Sequence, residues 1–112
     1  MKRAFLGEFE EVVLLTVAVL DEEAYGVTIT QELEQKIGRA VGFSTVHTTL
    51  QRLEEKGYLS SRMGGATAER GGRRKRFFMV TATGRKALHE VKLVRDELWR
   101  ALPPQTLQLM GS

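Results

Sequence analysis

The sequence predicts a mainly helical α+β domain, a winged helix-turn-helix in which three helices precede a two-stranded hairpin and a long helix follows. Three observations carry this. Apolar residues recur at helical spacing over about residues 7–21, 26–37, 44–56 and 82–102. Two short alternating runs, Tyr58 to Met63 and Lys75 to Val80, flank a basic, glycine-rich segment. Glycines and prolines fall at the joins, at Gly38, Gly57, Pro103 and Pro104.

The first helix covers about residues 7–21. Phe9, Val12, Val13, Leu15, Val17 and Leu20 make it apolar around most of its circumference. A domain of 112 residues can hardly cover such a helix alone, which points to a second subunit. The run VVLLTVAVL has nine residues, against about 20 for a bilayer span. Glu8, Glu10 and Glu11 precede it and no small-residue cleavage site follows, so it reads as a buried helix of a soluble protein. The second helix, Gly26 to Ile37, places Ile29, Leu33 and Ile37 on one face, and Gly38 ends it.

After the connection RAVGF, Ser44 is the expected N-cap of the third helix. Val46, Leu50 and Leu53 define its buried stripe, and Gly57 is placed as a C′ glycine. The hairpin follows, with Gly64, Gly65, Gly71 and Gly72 making its loop pliable. Adjacent aromatics in a strand face opposite ways, so Phe78 and Val80 are expected inside, and both Phe77 and Phe78 read as packing residues. Thr81 caps a fourth helix of about 30 Å, from Ala82 to Leu102. Pro103 and Pro104 stop it, and the tail QTLQLMGS is expected to fray. Residues 1–81 thus form the winged helix-turn-helix unit, and residues 82–112 a dimerisation helix and tail.

The charge is unevenly spread. Residues 1–35 hold two basic and eight acidic side chains, a net of −6, whereas residues 36–112 hold fifteen and six, a net of +9. A basic portion fits a polyanionic partner or a solvated surface. The absence of cysteine excludes disulfides, thiolate nucleophiles and zinc-thiolate sites, and fits a reducing cytoplasm. His47 and His89 pair with no nucleophile or ligand set, and no HExxH, GxSxG or phosphate-loop pattern occurs. No enzyme, metal or cofactor is expected.

Placing Val46, Leu50 and Leu53 inward puts Ser44, Thr48 and Gln51 on the outer face of the third helix, flanked by Thr45, His47 and Arg52. Short hydroxyls and an amide there suit base edges and phosphates, or equally a solvated surface. The hairpin carries Arg70, Arg73, Arg74, Lys75 and Arg76, five cations within seven residues. Beside a candidate reading helix they are expected to grip DNA phosphates. Arg74 and Arg76 should share one strand face, and Arg73 and Lys75 the other. Leu88, Val91, Val94, Leu98 and Leu102 recur near heptad spacing on the fourth helix, with Trp99 beside them. Little of the domain remains for this stripe to cover, so it reads as a self-association seam with the first helix as partner.

The segments AYGVTITQEL, STVHTTLQRLEEKGYL and ERGGRRKRFFMVTATGRKAL, in this order, closely resemble PadR-like transcriptional regulators from about Leu6 to Leu102. The resemblance implies a homodimeric, sequence-specific DNA-binding regulator, commonly a repressor, acting on a roughly palindromic operator. It implies the short form, whose single C-terminal helix and first helix build the dimer. Ser44, Thr45, His47 and Thr48 then fall in the reading helix, and Arg73 to Arg76 in the wing. His47 stands where a tyrosine is usual. Some relatives stack aromatic or cationic small molecules on a tryptophan between the C-terminal helices, which makes Trp99 either an effector surface or part of the dimer core. A winged helix used for protein or RNA contacts is the alternative reading.

Overall fold

The computed structural model describes residues 6–64 and 74–111. Helix α1 (Glu8–Leu20), α2 (Gly26–Ile37) and α3 (Phe43–Glu55) precede strands β1 (Leu59–Gly64) and β2 (Lys75–Val80), with α4 (Ala82–Arg100) and α5 (Pro104–Met110) last. The mainly helical winged helix-turn-helix fold is as the sequence predicts. Among the described residues no helix is long and apolar enough to cross a membrane.

The core is built where the periodicities meet. Val13, Leu14 and Val17 of α1, Ile29 and Leu33 of α2, and Val46, Leu50 and Leu53 of α3 close around Leu59 and Phe78. The nearly all-apolar α1 therefore divides, since Leu15 and Val19 on its other side remain 44% and 69% exposed. Gly38 ends α2 in the left-handed conformation (φ 83°), as its position suggests. At the end of α3, Gly57 (φ 83°) lets the Tyr58 N–H reach the Leu53 carbonyl (2.9 Å) and its own N–H reach that of Glu54 (3.0 Å). This six-to-one and five-to-two pair closes the helix and turns the chain into β1.

β1 and β2 pair antiparallel from Leu59 opposite Val80 to Gly64 opposite Lys75. Phe78 is buried and Val80 packs against the core, as expected. Ala24 and Tyr25 add a short third segment to the sheet. The Phe78 N–H donates to the Ala24 carbonyl (2.8 Å), and Tyr25 bridges Phe77. Phe77 packs edge-on against the Tyr25 ring at 5.4 Å, so it is a packing residue too.

Three boundaries differ from expectation. α3 begins at Phe43 with Gly42 as its N-cap, so Ser44 lies inside the first turn and caps nothing. The cause is non-local: one Glu34 carboxylate oxygen accepts the N–H groups of Val41 (2.7 Å) and Gly42 (3.0 Å), fixing the turn from α2. Gly42 then enters α3 at φ 96°, which side chains resist. α4 ends at Arg100, two residues early. The tail forms α5, because Pro104 at the first helical position needs no N–H partner there.

Thr81 caps α4 as expected, its hydroxyl accepting from the Gly84 N–H at 3.0 Å. Beyond that first turn, the Arg95 guanidinium ties α4 to α1 through a two-pronged contact with Glu11, at 2.6 and 3.2 Å. The radius of gyration is 16.8 Å, against about 13 Å for a compact chain of this size. The molecule is accordingly elongated.

Candidate nucleic-acid interface

The structure exposes the expected residues of α3 along its outer face. Ser44, Thr45, His47, Thr48, Gln51 and Arg52 are all exposed, while Val46, Leu50 and Leu53 are buried. Thr49, which completes the inner face, is buried with its hydroxyl donated to the Thr45 carbonyl (3.0 Å). Thr48 donates likewise to the Ser44 carbonyl (3.0 Å), leaving its methyl and oxygen lone pairs available. The first turn of α3 carries no acidic residue and no side-chain cap, so its amide dipole favours anions. Glu54 and Glu55 sit at the opposite end.

The cations of the hairpin separate by face. Arg70 and Arg73 lie outside the described residues. Arg74 is exposed just before β2. Lys75 Nζ lies 4.3 Å from the centre of the Tyr25 ring and 3.3 Å from its hydroxyl, which holds the ammonium beside the start of α2. Arg76 turns to the other side. Its Nη1 is 3.3 Å from Ser61 Oγ and 3.8 Å from Glu54 Oε1, while Ser61 donates to Glu54 Oε2 at 2.6 Å. Lys75 and Arg76 diverge as strand alternation requires, and Arg76 is partly neutralised by the C-terminal end of α3.

Two features escaped the sequence reading. Glu34 anchors the turn into α3, and the Gly42 and then the Val41 N–H hold its carboxyl below its ordinary value. Its partners lie seven and eight residues on, a spacing with no sequence signature. Phe43 is the second: a large ring, 50% exposed, at the first position of α3. An isolated aromatic immediately before Ser-Thr at a helix start was the available signal.

The second surface lies along α4. Val94, Leu98 and Trp99 are exposed, and Val91 and Leu102 half-buried, so this part of the expected seam has no full cover within the protomer. Leu88 instead packs against the domain's own core. Leu93 of α4 and Leu15 and Val19 of α1 add exposed apolar surface. Between α1 and α4 a cleft of about 420 Å³ is bounded by Leu15, Leu88, Trp99 and the charged Glu11, Lys92, Arg95 and Asp96. Among the described residues no cluster of acidic or histidine side chains could hold a metal ion.

A polar, uncapped helix beside a cationic two-stranded hairpin on a three-helix core defines a winged helix-turn-helix regulator. The chain belongs to the PadR-like family of transcriptional regulators, whose profile matches residues 14–90. The transcriptional regulator Rv3488 of Mycobacterium tuberculosis is 38% identical over 80 residues, covering 71% of this chain and 70% of that protein. A PadR-like transcription factor from Bacteroides fragilis superposes with a TM-score of 0.68 at 25% identity, over 82% of this chain and 84% of its own. PadR of Bacillus subtilis, solved in complex with operator DNA, shares the fold with a TM-score of 0.60 at 20% identity, over 86% of this chain and 49% of its own.

Proposed function

We propose that this PadR-like regulator is a sequence-specific DNA-binding repressor that engages a roughly palindromic operator as a homodimer. The observation that carries the reading is the exposed N-terminal half of α3, with Ser44, Thr45, His47 and Thr48 outward, Gln51 following on the same face, and no acidic residue in its first turn. Each copy places this half in a major groove, and two successive grooves on one DNA face are about 34–36 Å apart. Arg52, Arg74 and Lys75, with Arg70 and Arg73, supply sequence-independent contacts to phosphates. A dimer spanning two grooves excludes other proteins from that DNA, which is the physical basis of repression.

The uncovered stripe of Val94, Leu98 and Trp99, continued by Leu15 and Val19, supports pairing of two copies through α4 and α1. The adjoining cleft, with Trp99 as one wall and both charge signs at its rim, supports a small aromatic or cationic effector. Tryptophan quenching by such compounds tests that part, and indifference across a diverse set removes it.

Selection of bound genomic fragments followed by salt titration tests the main reading. Retained duplexes share an inverted repeat, and affinity falls on the order of 10³–10⁵-fold from 50 to 200 mM salt for 6–10 phosphate contacts. Salt-independent binding, or equal retention of single strands, favours a protein- or RNA-binding role instead.

A further inference from the structure

We infer that Phe43 and His47 form a stacked pair that reads a thymine in each half-site, Phe43 touching the 5-methyl group and His47 the polar edge beside it. This rests on the DNA-binding reading above and extends it to a residue outside the expected reading set.

Phe43 is not a displaced core residue. It opens α3 and lies half exposed, yet both of its sides are engaged. On one side it fills the space that a side chain at Gly26 would take. A Cβ built there would come within 2.7 Å of Phe43 Cε1 and 2.9 Å of Cζ. On the other side it stacks on His47, one turn along α3, with ring centroids 5.9 Å apart and planes 12° from parallel. A ring held between α2 and a second ring keeps few rotamers. Contact through its open portion therefore costs little further side-chain entropy.

The surroundings identify the occupant. Gly26 follows Tyr25, whose ring carries the Lys75 ammonium, and the first turn of α3 has no carboxylate, so the field around Phe43 favours a polyanion. The neighbours Ser44, Thr45 and Thr48 are exposed and short, so the half-exposed ring is the largest apolar group on this part of α3. A phenyl group makes no strong hydrogen bond, so it cannot use the donor and acceptor pattern of base edges. The 5-methyl of thymine is the apolar group that the unmodified major groove displays, and an apolar side chain recognises it by contact. His47, fixed in orientation by the stack, offers ring nitrogens to the N7 or O4 acceptors nearby.

The test needs no variant at first. Duplexes are selected for binding, and the wild-type chain is titrated on the selected duplex and on copies with deoxyuridine replacing one thymine per half-site in turn. Uracil removes the methyl and leaves every hydrogen-bonding group. At one position the substitution should weaken binding about fourfold in one half-site, and about fifteenfold in both, as for one buried methyl. Phe43→Ala should bind the thymine and uracil duplexes equally with an unchanged salt slope, and Phe43→Leu should keep most of the preference. A wild-type chain indifferent to uracil at every position, or Phe43→Ala still discriminating, overturns this proposal alone. Failure to select any duplex overturns the DNA-binding reading and this proposal with it.

Discussion

Gly84→Ala offers a sharp test of how the wing and α4 are joined. Gly84 lies in the first turn of α4, where the helix crosses the end of the hairpin. A Cβ there would stand 2.2 Å from the Tyr58 carbonyl oxygen, 3.1 Å from its carbon and 2.9 Å from Val80 Cγ1. The nearest neighbours are backbone and a β-branched side chain, so nothing can swing aside. Even the shortest tolerable contact, 3.0 Å, requires α4 or the strand to move by 0.8 Å. Helix propensity alone predicts the opposite sign, with alanine favoured by up to about 1 kcal/mol. Overpacking of this kind costs about 1–3 kcal/mol. Lifting α4 also draws the Gly84 N–H from Thr81 Oγ1, now 3.0 Å away, a cap worth about 1 kcal/mol. The net is a loss of about 2 kcal/mol, or about 10 °C in Tm for a domain of this size. Circular-dichroism melts at fixed protein concentration measure it, the concentration being fixed because self-association shifts Tm. Gly26→Ala is the control: its obstacle is the half-exposed Phe43 ring, a side chain at the surface rather than backbone, which can yield towards solvent at the cost of its stack on His47, so its Tm should fall by no more than a few degrees. A Gly84→Ala protein melting at or above the wild-type temperature would refute the reasoning.

Leu98→Asp should yield a folded monomer, because Leu98 is 65% exposed in the protomer and gives up little internal packing. Sedimentation that still finds a dimer would place the seam elsewhere. Lys75→Ala should lower affinity similarly across DNA sequences and reduce the salt slope by about 1 per copy, whereas an unchanged slope removes Lys75 from the phosphate contacts. Glu34 has its carboxyl held below the ordinary value of 4.5 by the Gly42 and Val41 N–H groups. The stability it contributes is therefore present above the unfolded-state pKa and lost as pH falls through the lower folded one. Glu34→Gln should flatten the acid limb of stability against pH in that window, and an unaltered limb would show that the turn is held by other means.

The sequence displays what local pattern determines. The inner faces of α3 and of α2 (save Ile37, which is exposed), the left-handed glycines at 38 and 57, the Thr81 cap and the antiparallel hairpin all follow from spacing of 3.6 or 2 and from residue chemistry. What escaped it depends on partners distant in the chain. Ser44 looks like an N-cap, but the turn before it is held by Glu34, so the cap falls two residues earlier, at Gly42. Arg76 reads as one more cation of the basic run, yet pairing places it beside Ser61 and Glu54. Leu88 obeys the α4 stripe but meets the core, because the helix leaves the hairpin close to its own domain before projecting beyond it. The α5 helix was legible in principle, since a proline can open a helix as readily as it stops one.

These placements connect the proposed base-reading end of the molecule to its proposed pairing surface. α3 is fixed to α2 by the Glu34 turn and to α1 through the shared core, while α4 is fixed to the hairpin at Gly84 and to α1 at Glu11. Both surfaces therefore take their orientation from α1. An isolated surface ion pair adds little stability, but the Glu11–Arg95 contact is two-pronged and its carboxylate is largely covered, so its main effect is to set the angle between α1 and α4. In a dimer built through α4, a change in that angle moves the two α3 helices relative to each other, and the spacing between half-sites moves with them. In the proposed function, base preference, by contrast, stays with the side chains at the start of α3. Variation at Glu11 or Arg95 should thus alter which spacing is bound, and variation at Phe43 or His47 which bases. The apolar exposure of Leu15, Val19 and Leu98 is a liability in a domain this small unless a partner covers it. In the proposed dimer, the surface left uncovered in the single chain is then the one that would hold two α3 helices at a fixed separation.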